Sequence, residues 1–158
     1  MREKQLTSYD YAHAKSHGLT ADIAKAAQYA RKFEGLRLKP YKCPAGKLTI
    51  GYGHNLEDNG ITKEVAEKLL KSDLQYADIE CLSHIPSYAR IDEARKFVLL
   101  DMCFNMGISR LLTFKKMLAA LQEGYYERAA YEMLNSKWAK QVGRRAKELA
   151  EIMKTGVY

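Results

Sequence analysis

Three side chains of different chemistry stand close together in the first third of the chain. They are the carboxyl of Glu34, the thiol of Cys43 and the hydroxyl of Thr49, with eight residues between the first two and five between the second and third. Glu34 is the only acidic residue between Phe33 and Asn55, which makes it the candidate proton donor of the stretch. To act as a general acid near neutrality its carboxyl must be tuned by burial or by partners. The thiol of Cys43 is a base and nucleophile once ionised; a free thiol has a pKa near about 8.5, and Lys42 or Lys47 could lower it. A strand hydroxyl such as Thr49 can hold a water. Each residue also has a plain alternative: a surface carboxylate at a helix end, a half-buried turn cysteine, and a threonine that sits in a strand because β-branched residues favour strands.

The elements that position them are legible. Ile23, Ala26, Ala27, Ala30 and Phe33 recur at helical spacing after Thr20, a plausible N-cap, and Arg31 and Lys32 complement the dipole of the last turn. Gly35 follows Glu34, and glycine is favoured just past a helix end, so Glu34 is the last residue of this helix. Cys43-Pro44-Ala45-Gly46 reads as a hairpin turn. Leu48, Ile50 and Tyr52 then alternate with Lys47, Thr49 and Gly51, which predicts a strand with one apolar face and Thr49 on the other. The three groups are thus expected to converge on one cleft. Asp58-Asn59-Gly60 predicts a turn, and Thr62 caps a long helix reaching about Leu82 with Ala66, Leu69, Leu70, Leu74, Ala77 and Cys81 on its apolar face. Asp92 caps a helix over Glu93–Met106, closed by Gly107 and apolar nearly all round, as befits the centre of a core. Thr113 caps a further helix ended by Gly124; Tyr126–Ser136 and about Val142–Lys154 complete the set.

The stretch 34–54 resembles the active-site segment of the phage-type lysozymes, the muramidase endolysins of tailed phages and prophages. That family carries Glu, eight residues, Asp or Cys, five residues, Thr; Glu34, Cys43 and Thr49 stand at those intervals, followed by the similar run Ile50-Gly51-Tyr52-Gly53-His54. The likeness extends from about Ala21 to the C-terminus. It implies an α+β, lysozyme-like, mainly helical fold: residues 1–20 an N-terminal extension, 21–61 the first helix and a small antiparallel sheet lobe, 62–83 a linking helix, 84–158 an all-helical lobe, in one domain. It implies that Glu34 is the acid, that Cys43, in the place of the commoner Asp, and Thr49 handle the water, that His54 bonds Asp73 on the long helix, that Arg145 pairs with the catalytic Glu and fixes its carboxyl, and that Asn105 and Trp138 lie near the sugar cleft. The implied substrate is the β-1,4 bond between N-acetylmuramic acid and N-acetylglucosamine in peptidoglycan glycan strands, cleaved without cofactor or metal. The expected setting is a monomer held in the host bacterial cytoplasm until a holin or equivalent releases it to act on the wall from the periplasm.

Bulk properties fit that setting. The 158 residues are 47% apolar, enough for a core. No apolar run nears the roughly 18 residues that span a bilayer, and Met1–Thr7 lacks an apolar signal region, so neither stable membrane insertion nor secretion by a leader is expected. Three scattered cysteines argue against a disulfide framework, and His13, His17, His54 and His84 form no metal-binding spacing. A net charge of +7 favours polyanionic partners, nucleic acid or an anionic bacterial envelope. Nucleic-acid binding would need a recognition helix or aromatic strand motif, and neither is evident. Two other readings compete: a wall-binding protein that has lost catalysis through Cys43, and a cysteine hydrolase with Cys43 as nucleophile and His54 as base. Against the latter, alternation points His54 to the face of Ile50 and Tyr52, opposite Thr49.

Overall fold

The computed structural model describes residues 22–158, so Thr20 and the histidines of the N-terminal extension lie outside the described residues. The chain forms two compact units, one ending at Val65 and the other spanning Ala66–Tyr158. Its elements make a mainly helical α+β, lysozyme-like fold with one small antiparallel sheet.

In the first unit, α1 spans Ile23–Glu34. Its described cap is Asp22, whose carboxylate accepts the Lys25 N–H at 2.9 Å and so takes the place expected for Thr20. Strands β1 (Arg37–Lys42), β2 (Leu48–Gly51) and β3 (His54–Asn55) follow in sheet order β1-β2-β3. The turn at 43–46 forms as expected: Gly46 N–H donates to Cys43 O at 2.8 Å and Cys43 N–H to Lys47 O at 3.0 Å. Asp58-Asn59-Gly60 is not a bare turn. Leu56–Asn59 make one helical turn, α2, because the Asn55 side chain accepts the Asp58 N–H at 3.1 Å and Gly60 closes the other end.

The expected sense of the sheet is also corrected. The alternation holds, but Thr49 is the buried residue, at 3% exposure, while Leu48 and Tyr52 on the apolar side remain exposed. Register explains it. Thr49 lies on the central strand between Tyr41 on β1 and Asn55 on β3, both half-buried, with the 43–47 turn at its end.

The helix α3 (Lys63–His84), which belongs to the second unit from Ala66 on, runs two residues past the expected end and gives Ala77 and Cys81 to the core, whereas Leu69 and Leu70 stay exposed. A 3-10 turn at Tyr88–Arg90 leads to α4 (Glu93–Met106), capped by Asp92 at the Arg95 N–H and closed by Gly107, as expected. Val98, Leu99 and Met102 of α4 are fully buried, but Phe97 and Phe104 are not, so the helix has an outer side after all. The helices α5 (Ile108–Leu111), α6 (Lys115–Gln122), α7 (Tyr126–Leu134), α8 (Lys137–Val142) and α9 (Arg144–Thr155) complete the unit. Thr113 does not cap α6; its hydroxyl donates back to Arg110 O at 2.6 Å at the end of α5, while the N-cap of α6 is Phe114, which makes no side-chain cap. Ser136 caps α8 by accepting the Ala139 N–H at 3.0 Å, and Gly143, with φ of 56°, separates α8 from α9 where one helix from Val142 was expected. Met117, Leu121, Met133, Leu149 and Met153 fill the core between these helices.

Arg95 is the charged residue set into this core. Nε–H donates to Met153 O at 2.8 Å, a second nitrogen donates to Lys154 O at 3.0 Å, a third pairs with Asp92 at 2.5 Å, and the guanidinium stacks 3.5 Å from the Tyr126 ring. It thereby serves two of the last carbonyls of α9, which have no partner inside the helix.

Candidate active site

In the first unit α1 delivers Glu34 to the β2–β3 corner. The carboxylate lies against the backbone of Gly53: a Cβ on that residue would stand 3.4 Å from Glu34 Oε2. Gly53 has φ of 82°, so the corner needs glycine for its conformation, and the carboxyl lies at ordinary contact distance from where a first side-chain carbon would be.

Cys43 sits half-buried at the end of β1. Its thiol is held below its ordinary pKa, chiefly by the backbone N–H of Lys47, with the Ala45 N–H and the Thr49 hydroxyl acting the same way against partial desolvation. Charge on the neighbouring lysines is not what does this. The Lys47 ammonium is committed to Asp58 at 2.9 Å, with Glu57 at 3.7 Å, and Lys47 acts on the thiol through its main chain. Thr49 Oγ1–H donates to Lys47 O at 3.0 Å. The structure therefore brings Cys43 and Thr49 together around one peptide unit, and seats Glu34 at the corner beyond β2.

His54 is tied within its own unit. Nε2 lies 2.6 Å from Gly60 O, so Nε2–H is the donor and the ring fastens β3 to the segment before α3. This is the bond His54 makes within its own unit; Asp73, the partner expected for it, belongs to the second unit. The register places His54 opposite Ile50, away from Thr49.

The remaining expected residues lie in the second unit. Arg145 makes a two-pronged bond to Asp101, Nε–H to Oδ1 at 2.9 Å and a terminal nitrogen to Oδ2 at 2.8 Å, which raises its already high pKa. Asp101 is thus the partner of Arg145 within the second unit; Glu34, the partner expected for it, belongs to the first. The signal that marks Asp101 is its being the only acid in the apolar run Phe97–Met106. Asn105 and Trp138 are brought together: Trp138 Nε1–H donates to Asn105 Oδ1 at 2.9 Å. Trp138 is buried at 7% exposure with its ring edge-on to Phe114 at 6.2 Å. It lines a cavity of about 620 Å³ with Met106, Phe114, Lys116 and Gln141, as a wall rather than an open platform. Cys81 and Cys103 are buried among apolar side chains, and desolvation pushes both thiols up.

A small sheet in a mainly helical protein, with a carboxyl at the end of the first described helix, a thiol in the hairpin turn and a buried hydroxyl on the central strand, is the architecture of a lysozyme-type glycoside hydrolase. The sequence profile of the phage lysozyme family matches residues 31–152, and the chain belongs to that family. It is 31% identical over 152 residues to Probable T4-type lysozyme 1 of Dictyostelium discoideum, covering 78% of this chain and 89% of that one. It is 34% identical over 114 residues to the Endolysin of Acyrthosiphon pisum secondary endosymbiont phage 1, covering 70% and 74%. It is 29% identical to the Pre-baseplate central spike protein Gp5 of Enterobacteria phage T4, covering 82% of this chain and 28% of that protein. Among the described residues, no helix is long and apolar enough to cross a membrane.

Proposed function

We propose that the protein is an endolysin that hydrolyses the β-1,4 bond between N-acetylmuramic acid and N-acetylglucosamine in bacterial peptidoglycan and so lyses the host cell. The observation that carries the reading is the Cys43–Thr49 pair around Lys47, with Glu34 seated on Gly53, in a chain of the phage lysozyme family. Glu34 protonates the leaving oxygen. Cys43 and Thr49 hold and activate the water on the opposite face of the sugar, the division of labour that glycoside hydrolysis needs. A thiol held below its ordinary pKa suits the work of an acceptor that an aspartate would otherwise do. His54, Asp73 and Arg145 support the site, and Asn105 and Trp138 contribute to the glycan-binding wall. The protein acts as a monomer, without cofactor or metal, waits in the cytoplasm and reaches the wall once a holin or equivalent lets it through.

A cysteine hydrolase is disfavoured because His54 faces away from Thr49 and spends Nε2–H on Gly60. Clearing of outer-membrane-permeabilised Gram-negative cells, followed by reduction of the products with borohydride and mass spectrometry, tests the assignment. Reduced muramic acid at the new ends is expected, and Glu34→Gln should abolish it with circular dichroism unchanged. Reduced glucosamine, or cleavage in the peptide stems, overturns it.

A further inference from the structure

The Cys43–Thr49 pair depends on a single peptide unit, and that unit is anchored from outside the pair. Lys47 O accepts both Cys43 N–H and Thr49 Oγ1–H, each at 3.0 Å. The Lys47 side chain reaches the other way, to Asp58 at 2.9 Å and Glu57 at 3.7 Å on α2. The next residue is held by the same helix: Leu48 N–H donates to Glu57 Oε2 at 3.0 Å. Asn55 orients the cluster, donating from Nδ2 to Asp58 Oδ2 at 2.8 Å while its Oδ1 caps α2. The one turn of α2 thus grips residues 47 and 48 by side chain and by main chain. We propose that Glu57 and Asp58 are positioning residues for the reaction, acting through Lys47 to hold the Cys43 turn and the Thr49 hydroxyl in register.

The proposal rests on the catalytic reading of Cys43, and its sign separates it from a plain charge effect. The charged groups about the turn are Lys42 and Lys47 on the hairpin and Glu57 and Asp58 on α2. Removing a nearby carboxylate, or freeing an ammonium from its partner, favours the thiolate and makes the thiol easier to ionise. Loosening Lys47 does the reverse, because the thiolate loses a donor held in place. The charges of the cluster already support one another: the bond to Asp58 raises Lys47, the Leu48 N–H lowers Glu57, and Lys47 lowers Asp58.

The test is the pH dependence of iodoacetamide alkylation at Cys43, read by mass spectrometry of the peptide containing it, in the parent, Glu57→Gln/Asp58→Asn, Lys47→Met and Lys47→Arg. In Glu57→Gln/Asp58→Asn, where the charge effect alone would lower the midpoint, it should move to higher pH and the rate at pH 7 should fall about three- to tenfold, part of the worth of one hydrogen bond to a charged group; in Lys47→Met the lost ammonium acts in the same direction as the loosened turn, so the rate should fall at least as far. The kcat for cell-wall clearing should fall with KM unchanged, and Lys47→Arg, which keeps the ion pair, should stay close to the parent. A midpoint unchanged or moved to lower pH, or Lys47→Arg indistinguishable from Lys47→Met, overturns the proposal. Cys43→Ala run alongside separates the two failures: parent-like clearing in that variant removes Cys43 from the reaction, while the alkylation midpoints still decide whether α2 positions its turn.

Discussion

Thr49→Val asks whether the one buried hydroxyl of the sheet is there for packing or for chemistry. Valine keeps the shape of a residue only 3% exposed and deletes the bond from Oγ1 to Lys47 O. That carbonyl keeps its other donor, Cys43 N–H at 3.0 Å, so the substitution leaves no orphaned acceptor. The cost to folding is then one net hydrogen bond, about 0.5–1.5 kcal/mol, or roughly 1–6 °C in Tm for a chain of this size. The cost to catalysis is larger if the hydroxyl holds the attacking water. Positioned proton-transfer groups contribute about 10²–10⁴-fold, or roughly 2.7–5.4 kcal/mol of barrier at 1.36 kcal/mol per decade. A second effect points the same way. The hydroxyl has a single proton. With the thiol neutral, that proton can go to Lys47 O; with the thiolate present, the sulfur competes for it. Deleting the hydroxyl should therefore make Cys43 harder to ionise. The assay is cell-wall clearing well below the melting temperature, with a thermal melt of the same preparation and Thr49→Ser as the control that restores the hydroxyl. A loss of activity under about tenfold in Thr49→Val, or no recovery in Thr49→Ser, refutes the reasoning.

Three further outcomes follow from single contacts. Arg145→Ala should lower activity, and Asp101→Asn should lower it in a way that does not add to Arg145→Ala; a double-mutant cycle should give a coupling of about 1 kcal/mol, modest because the pair is partly exposed. Arg95→Met should lower Tm by roughly 4–16 °C, since it removes the donors to two carbonyls at the end of α9, breaks the Asp92 pair and unstacks Tyr126 in the core, together about 2–4 kcal/mol. The Asp58 carboxyl is held below its ordinary range by Lys47 and Asn55, so what it adds to stability is fully present above its unfolded pKa of about 3.9 and is lost as pH falls through the lower folded value. The Tm gap between parent and Asp58→Asn should accordingly be constant from pH 5 to 8 and close only below about pH 4.

Where the sequence was informative, the reason was local. Asp92 and Gly107 bound α4 because a cap acts through its own backbone neighbours, and Cys43-Pro44-Ala45-Gly46 forms the turn its residues demand. What period alone could not decide was which side of the sheet is covered. Alternation places Thr49 opposite Leu48 and Tyr52, but burial depends on Tyr41 and Asn55, set beside Thr49 by strand pairing rather than by spacing. The one-turn helices α2 and α5 are too short to show a helical period, and α8 is hidden by Gly143, which looks like the interior of a longer helix until its φ is known. The partners of His54 and Arg145 were beyond reach for a different reason. Gly60 O is a main-chain group with no side-chain signature, and Asp101 is 44 residues from the arginine it binds.

Gly53 sets a limit on how this protein can vary. The restriction is conformational: a φ of 82° is one that L-residues rarely adopt, whereas the first carbon of a side chain would stand in ordinary contact with the Glu34 carboxylate, 3.4 Å from Oε2. Space alone would therefore admit a small side chain, and the backbone would not. Reshaping the corner to relieve that backbone would shift His54, the next residue, off Gly60, and with it the surface on which the proposed acid rests. A library built to alter the protein's specificity should accordingly keep residue 53 fixed and place its diversity elsewhere.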